Sequence, residues 1–167
     1  MGCGCKDILL GKVGRSMAWP SQTFEPPTTA FTTGKIVSGL LTFDCVTLEV
    51  GGTARIHQVA LWESATTGTA QKGALDLILF TKSQTIVTGN SYAAPATFTE
   101  IITVIPITSG DYVDVDTAHS LALVEPPACE IRAAPDTSTI YGVLVARGSI
   151  TYAADAGITV QLRMQRD

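Results

Sequence analysis

The chain has 167 residues and a net charge of −4, enough length for one domain with its own core. Only 16% of residues are charged, against about a quarter in ordinary soluble domains. Apolar residues reach 46%, yet no apolar run approaches the roughly 20 residues of a membrane span, and Lys and Arg are scattered too thinly for a nucleic-acid footprint.

A chain so poor in charge has apolar surface to hide, most simply against other subunits. It opens "MGCGCKDILL", with Cys3 and Cys5 around one glycine. Gly2 suits N-myristoylation, but Lys6 stands where that signal wants Ser or Thr. The two thiols are too close for a zinc pair, and no C-x-x-C redox motif occurs. Two readings remain: an idle tip, or a bond from Cys3 or Cys5 to a neighbouring subunit, formed outside the reducing cytosol. "KDILLGKVGRSMAW" is broken by Lys12 and Arg15, so no export signal is read.

Residues 1–33 differ in texture from the rest. "WPSQTFEPPTTAFTTG" mixes Pro20, Pro26 and Pro27 with threonines, which favours extended backbone over helix. Trp19, Phe24 and Phe31 are spaced along it, and each is costly to leave in water. The expectation is an extended arm lying on its own domain, a sister subunit or a larger shell.

From residue 34 to 167 the text predicts one domain of short strands. "KIVSGLLTFDCVTLEV" is rich in β-branched residues, and Gly51–Gly52 mark a turn before "ARIHQVALWE". In "ALDLILF", Leu75, Leu77 and Leu79 share one face, with Asp76, Ile78 and Phe80 on the other. "FTEIITVIPIT" is apolar on both faces. "YVDVD", "SLALVE" and "ACEIRA" follow, the last two separated by Pro126 and Pro127. "TIYGVLVARGSITY" and "ITVQLRMQRD" end the chain, and the last run alternates: Ile158, Val160, Leu162 and Met164 inward, Thr159, Gln161, Arg163 and Gln165 outward. About eight or nine short strands with Gly and Pro turns predict an all-β antiparallel sandwich or barrel. Strands apolar on both faces imply that a second body covers the outer one. Cys45 and Cys129 read as small buried hydrophobes on strands.

Chemistry is thin. No G-x-S-x-G, H-E-x-x-H, Walker or Rossmann pattern occurs. The best candidate cluster is "GDYVDVDTAHS", where Asp114 and Asp116 share a strand face beside Asp111 and His119. Such a set can bind a divalent cation, but no EF-hand spacing supports it, and a charged strand edge explains it equally. His57 sits alone in a strand. Asp76 is expensive in so apolar a strand and is expected to meet water or a base, Arg55 or Arg147. Trp62 reads as core or interface. No catalytic residue, resident metal or cofactor is expected.

"GKIVSGLLTFDCV", "GGTARIHQVALWE", "GALDLILF" and "TIYGVLVARGSITYAADAGITVQLRMQRD" together resemble a family of small virion proteins of tailed bacteriophages, akin to capsid decoration or cement proteins. The resemblance covers residues 34–167 and its motifs are structural. It implies a β-sandwich of jelly-roll type, clustered as homotrimers on a capsid. The implied partners are the major capsid protein and further copies of the chain, with no direct nucleic acid and no membrane. The implied place is the capsid surface, after synthesis in a bacterial cytoplasm. The alternative is a tail-, collar- or fibre-associated part that grips a host glycan, which calls for an aromatic-lined groove; only 7% of residues are aromatic.

Overall fold

The computed structural model describes residues 8–9, 16–65, 69–93, 100–127 and 129–166. Twelve strands run through these residues: β1 (Ile8–Leu9), β2 (Ser16–Ala18), β3 (Ser21–Phe24), β4 (Leu41–Phe43), β5 (Thr53–Ala65), β6 (Leu75–Phe80), β7 (Ile101–Ile107), β8 (Tyr112–Asp114), β9 (His119–Val124), β10 (Cys129–Arg132), β11 (Ile140–Ala146) and β12 (Ala156–Arg166). Every pairing is antiparallel.

The strands form two sheets. One runs β3–β12–β5–β9, extended by β1, β2, β8 and β10, and the other runs β4–β11–β6–β7. The chain hops between them: β3, then β4, then β5, then β6 and β7, then β8 and β9, then β11, then β12. The early strands β2 and β3 thereby lie beside the last strand, β12. That order is the jelly roll, two interleaved Greek keys whose first and last strands are neighbours. The all-β sandwich expected from strand spacing is what forms, and its own strand order gives the jelly-roll type.

Alternation decides what lies between the sheets. On β12, Ile158, Val160, Leu162 and Met164 are fully buried, as the sequence pattern predicts. Leu75, Leu77 and Leu79 on β6 meet them with Ile105 and Ile107 of β7 and Leu144 of β11 in one continuous core. A Cβ on Gly142 would come within 3.0 Å of the Leu79 side chain and 3.2 Å of Phe43, so β11 uses glycine where the side chains of its two neighbours in the same sheet, β6 and β4, close over it.

The outer face of the four-stranded sheet departs from expectation. Ile78, Phe80, Val143 and Val145 point away from the main core and are buried nonetheless. Their cover is intramolecular: Ile36 and Leu40 from one segment, Ile86 and Tyr92 from the loop after β6. Backbone hydrogen bonds hold that cover down, from Ile36 N–H to Asn90 O (2.9 Å), Gly89 N–H to Ile36 O (2.8 Å) and Tyr92 N–H to Gly34 O (2.9 Å). The second body expected over these strands is therefore the chain's own loop. Periodicity shows that a face is apolar but not which residues reach it.

Asp76 also sits on this face. Its carboxylate lies 3.6 Å from Arg147 Nε, while Arg55 is across the molecule on β5, opposite Glu130. Partial burial raises the Asp76 pKa and the guanidinium lowers it, the first effect being larger. Both groups retain substantial solvent access, so Asp76→Asn should change stability by less than about 1 kcal/mol in urea melts.

Ser16–Phe31 packs into the same sandwich. Pro20 has no N–H to offer, which separates β2 from β3, but its carbonyl accepts from Leu162 N–H at 3.0 Å. Cys129 is buried on β10, and burial pushes its thiol up. Cys45 is buried too, but lies just beyond β4 with φ +57 rather than on a strand.

Candidate interaction surface

The acidic cluster resolves into turn chemistry. Asp111 accepts from Thr108 N–H (2.6 Å) and Thr108 Oγ1–H (2.8 Å), closing a short 3-10 turn. Asp114 pairs with Lys72 at 2.7 Å. Asp116 accepts from the backbone N–H groups of Ala118 and His119 and lies 2.8 Å from His119 Nδ1. That side-chain bond to His119, above all, holds the Asp116 carboxyl below its usual range. Each carboxylate thus has a separate local partner, and no group of three His, Cys, Asp or Glu among the described residues could hold a metal ion. The cation reading of Asp114, Asp116 and His119 gains no geometry here.

The three aromatics of the early segment part company. Phe31 is in the core, bridged to Ile150 by backbone hydrogen bonds of 2.8 and 3.1 Å and edge-on to Tyr152 at 6.3 Å. Phe24 is half-buried against the same core. Trp19 alone stands out, 55% exposed. It lies in the short break between Ala18, paired with Met164, and Ser21, paired with Gln161. Cys3 and Cys5 lie outside the described residues.

The chain's own loop covers β6 and β11 on the outer side of one sheet and leaves Val104 and Pro106 of β7 exposed; the outer face of the eight-stranded sheet is the other open surface. Strand pairing lines up two rows across it. Thr23, Thr159, Trp62, Leu121 and Val113 form one, and Ser21, Gln161, Ala60 and Leu123 the next. Neither row contains a charged residue. Val113 is 69% exposed and Leu123 43%, and Trp62 packs its ring against His119 at a centroid distance of 5.4 Å. The polar members bond to each other, Thr23 Oγ1 to Thr159 Oγ1 at 2.8 Å. Charge lies beyond these rows: Arg163, bonded to Gln58 Oε1 at 2.7 Å, and Arg55 toward one strand end, and Asp116, held to His119, toward the other, while Asp114 belongs to the inward row through Ser120. A solvated sheet face would carry Lys and Glu in its middle; this one carries Trp, Leu and Val.

A shallow cavity of about 460 Å³ opens beside Gln71, Lys72, Gly73, Ser109, Ser149 and Thr151. Its lining has no aromatic, and its cation, Lys72, is tied to Asp114. No helix among the described residues is long and apolar enough to cross a membrane.

Two buried charges escape the sequence reading, although the alternation that places the core also places them. Glu63 shares the inward parity of Leu61 and Ala65 on β5, and Arg166 continues the inward series of β12. Glu63 accepts the backbone N–H groups of Gln71 and of Lys72, the latter at 3.0 Å. Burial pushes its carboxyl up, while those two N–H groups and the Lys72 ammonium pull the other way. Arg166 donates to Ser16 Oγ (2.9 Å) and to the Cys45 carbonyl (3.2 Å), tying the end of β12 to β2 and β4's exit.

No protein-family model and no curated protein matches the chain. Among solved structures, the virus-like particle of the extra small virus of the prawn Macrobrachium rosenbergii is similar at 10% identity, with 95% of this chain and 84% of that one covered and a TM-score of 0.29. Mud crab dicistrovirus is similar at 11% identity, covering 90% and 68%, with a TM-score of 0.35. Desmodium yellow mottle tymovirus is similar at 16% identity, covering 95% and 85%, with a TM-score of 0.26.

Proposed function

We propose that this chain is a non-enzymatic structural subunit of a virus particle, and within that class a decoration protein on the outside of a tailed-phage capsid. The observation that carries the reading is the uncharged strip through Trp62, Leu121 and Val113, left open by a chain that has covered β6 and β11 of its other sheet with its own loop. Exposed apolar surface of that kind marks an assembly face. The protein binds where major capsid subunits meet. A partner that binds only the expanded lattice stabilises it by linkage. Each copy needs to bury on the order of 1,500 Å² in total, the scale of stable interfaces. Several weak contacts per cluster then act together.

Electron microscopy of intact particles tests this by copy number. Hundreds of copies on the shell are expected; a few dozen or fewer would move the protein to the tail or collar. Trp19 and one of Cys3 and Cys5 extend the same reading, with the thiol bonding a neighbouring subunit in the particle. Non-reducing gels of purified particles should show multimer ladders that collapse with reductant. A monomer band in both lanes removes the tether.

A further inference from the structure

We infer that Cys45 is bonded through sulfur to one of the two N-terminal cysteines, Cys3 or Cys5, in an intramolecular disulfide that fastens the residues ahead of β1 to the sandwich. The sequence holds four cysteines, at positions 3, 5, 45 and 129. Cys45 is disulfide-bonded, whereas Cys129 is a free thiol buried on β10. Elimination leaves Cys3 and Cys5 as the partners within one chain. The inference goes beyond the structural-subunit reading and does not depend on it.

Strand pairing brings the two regions together. Leu9 of β1 pairs with Ser16 of β2, and Ser16 pairs with Arg166 of β12. Arg166 donates to Ser16 Oγ at 2.9 Å and to the Cys45 carbonyl at 3.2 Å. β1 and Cys45 therefore meet at one corner of the sandwich. Cys5 stands three residues ahead of Ile8 and Cys3 five, so extended chain covers about 10 Å or about 17 Å from β1. Cys45 is 3% exposed and holds φ +57, a conformation that a non-glycine residue keeps where its surroundings fix it. A bond at its sulfur is such a constraint. The bond forms by exchange with an oxidised small-molecule disulfide: two protein thiols are oxidised, and their protons and electrons pass to the two small thiols released. A reducing cytosol opposes that reaction and an oxidising exterior permits it. One N-terminal thiol is taken and the other is left, which is the one the inter-subunit tether can use.

Non-reducing tryptic mapping of the purified full chain, equilibrated with oxidised glutathione and alkylated after unfolding, tests the bond. Cleavage after Lys6, Lys35 and Arg55 isolates residues 1–6 and 36–55. These two peptides should appear joined, in material that runs as a monomer, and Cys129 should carry the alkyl label. Of Cys3→Ala and Cys5→Ala at least one keeps the cross-link, and Cys45→Ala loses it. The bond closes about forty residues of chain, so wild type refolded under reductant should melt about 8–16 °C below the oxidised protein. Reductant should leave Cys45→Ala unchanged. An alkylated Cys45, a link from Cys45 to Cys129, peptides joined only in a dimer band, or a wild-type melting temperature indifferent to reductant would overturn the inference. The result is separable from the shell reading, which copy number on the particle decides.

Discussion

Phe31→Ala should cost about 3–5 kcal/mol of folding stability, the largest effect expected of any single truncation in the early segment. Phe31 is 1% exposed, and its ring meets Tyr152 edge-on between the last turn before β12 and the main core. Truncation removes most of a large apolar side chain and leaves a hole that a sheet-bound backbone closes only in part. The backbone on both sides is pinned, by the paired hydrogen bonds to Ile150, so the site has little room to collapse. In a domain of this length each kcal/mol shifts the melting temperature by about 2–4 °C, so calorimetry should read a drop of about 6–20 °C. Trp19→Ala is the matched control. Its side chain is mostly in water, and its loss should leave stability within about 1 kcal/mol. A small effect at Phe31 would mean that the early segment rests on the sandwich without being part of its core.

That pair of residues shows what the sequence could and could not reveal. The text around residues 19–31 says that three aromatics need cover, and it says so from composition alone. It does not say that one is core, one is flank and one is open, because a proline-rich stretch has no periodicity from which to read a face. The regular strands were more legible. The two-residue period of β12 placed four core residues and four outward ones, and the Leu triplet of β6 pointed the way it faces. The same period also pointed Glu63 and Arg166 inward. Their burial was hidden only by the habit of reading charged residues as solvent-facing. The covered outer face of β6 and β11 was illegible for a different reason: its cover comes from residues 34–40 and 81–92, distant in sequence and joined to each other by backbone hydrogen bonds that side-chain pattern does not encode. The acidic run "DYVDVDTAHS" looked like ligand chemistry because carboxylates at turns and carboxylates at metals share a composition. Only geometry separates a capping Asp116 from a coordinating one.

Glu63→Ala should lower stability by about 2–3 kcal/mol at neutral pH, and Glu63→Gln should carry a distinctive pH signature. The carboxylate is buried and holds two successive backbone N–H groups, those of Gln71 and Lys72, at a point where Lys72 takes φ +51. Without it those donors point into the interior unpaired, and an orphaned buried donor costs about 1–3 kcal/mol. The segment they anchor carries Gly73, whose carbonyl accepts from Tyr112 Oη–H at 3.0 Å; a Cβ there would fall 1.8 Å from the Ile150 side chain. One carboxylate therefore fixes the turn that closes this end of the sandwich. Desolvation raises the folded pKa of Glu63 above its unfolded value near 4.5. The folded state then keeps this proton to higher pH than the unfolded chain does. The stability linked to that proton is complete below the unfolded pKa and is lost as pH rises through the folded one. An amide has no proton to lose, so the disadvantage of Glu63→Gln relative to wild type should shrink as pH rises from 4 to 7. Urea denaturation of both proteins across that range measures it. A disadvantage that grows with pH would mean that the N–H groups and Lys72 outweigh burial and hold the group below its usual range, making Glu63 a net electrostatic asset rather than a buried charge kept for the turn it specifies.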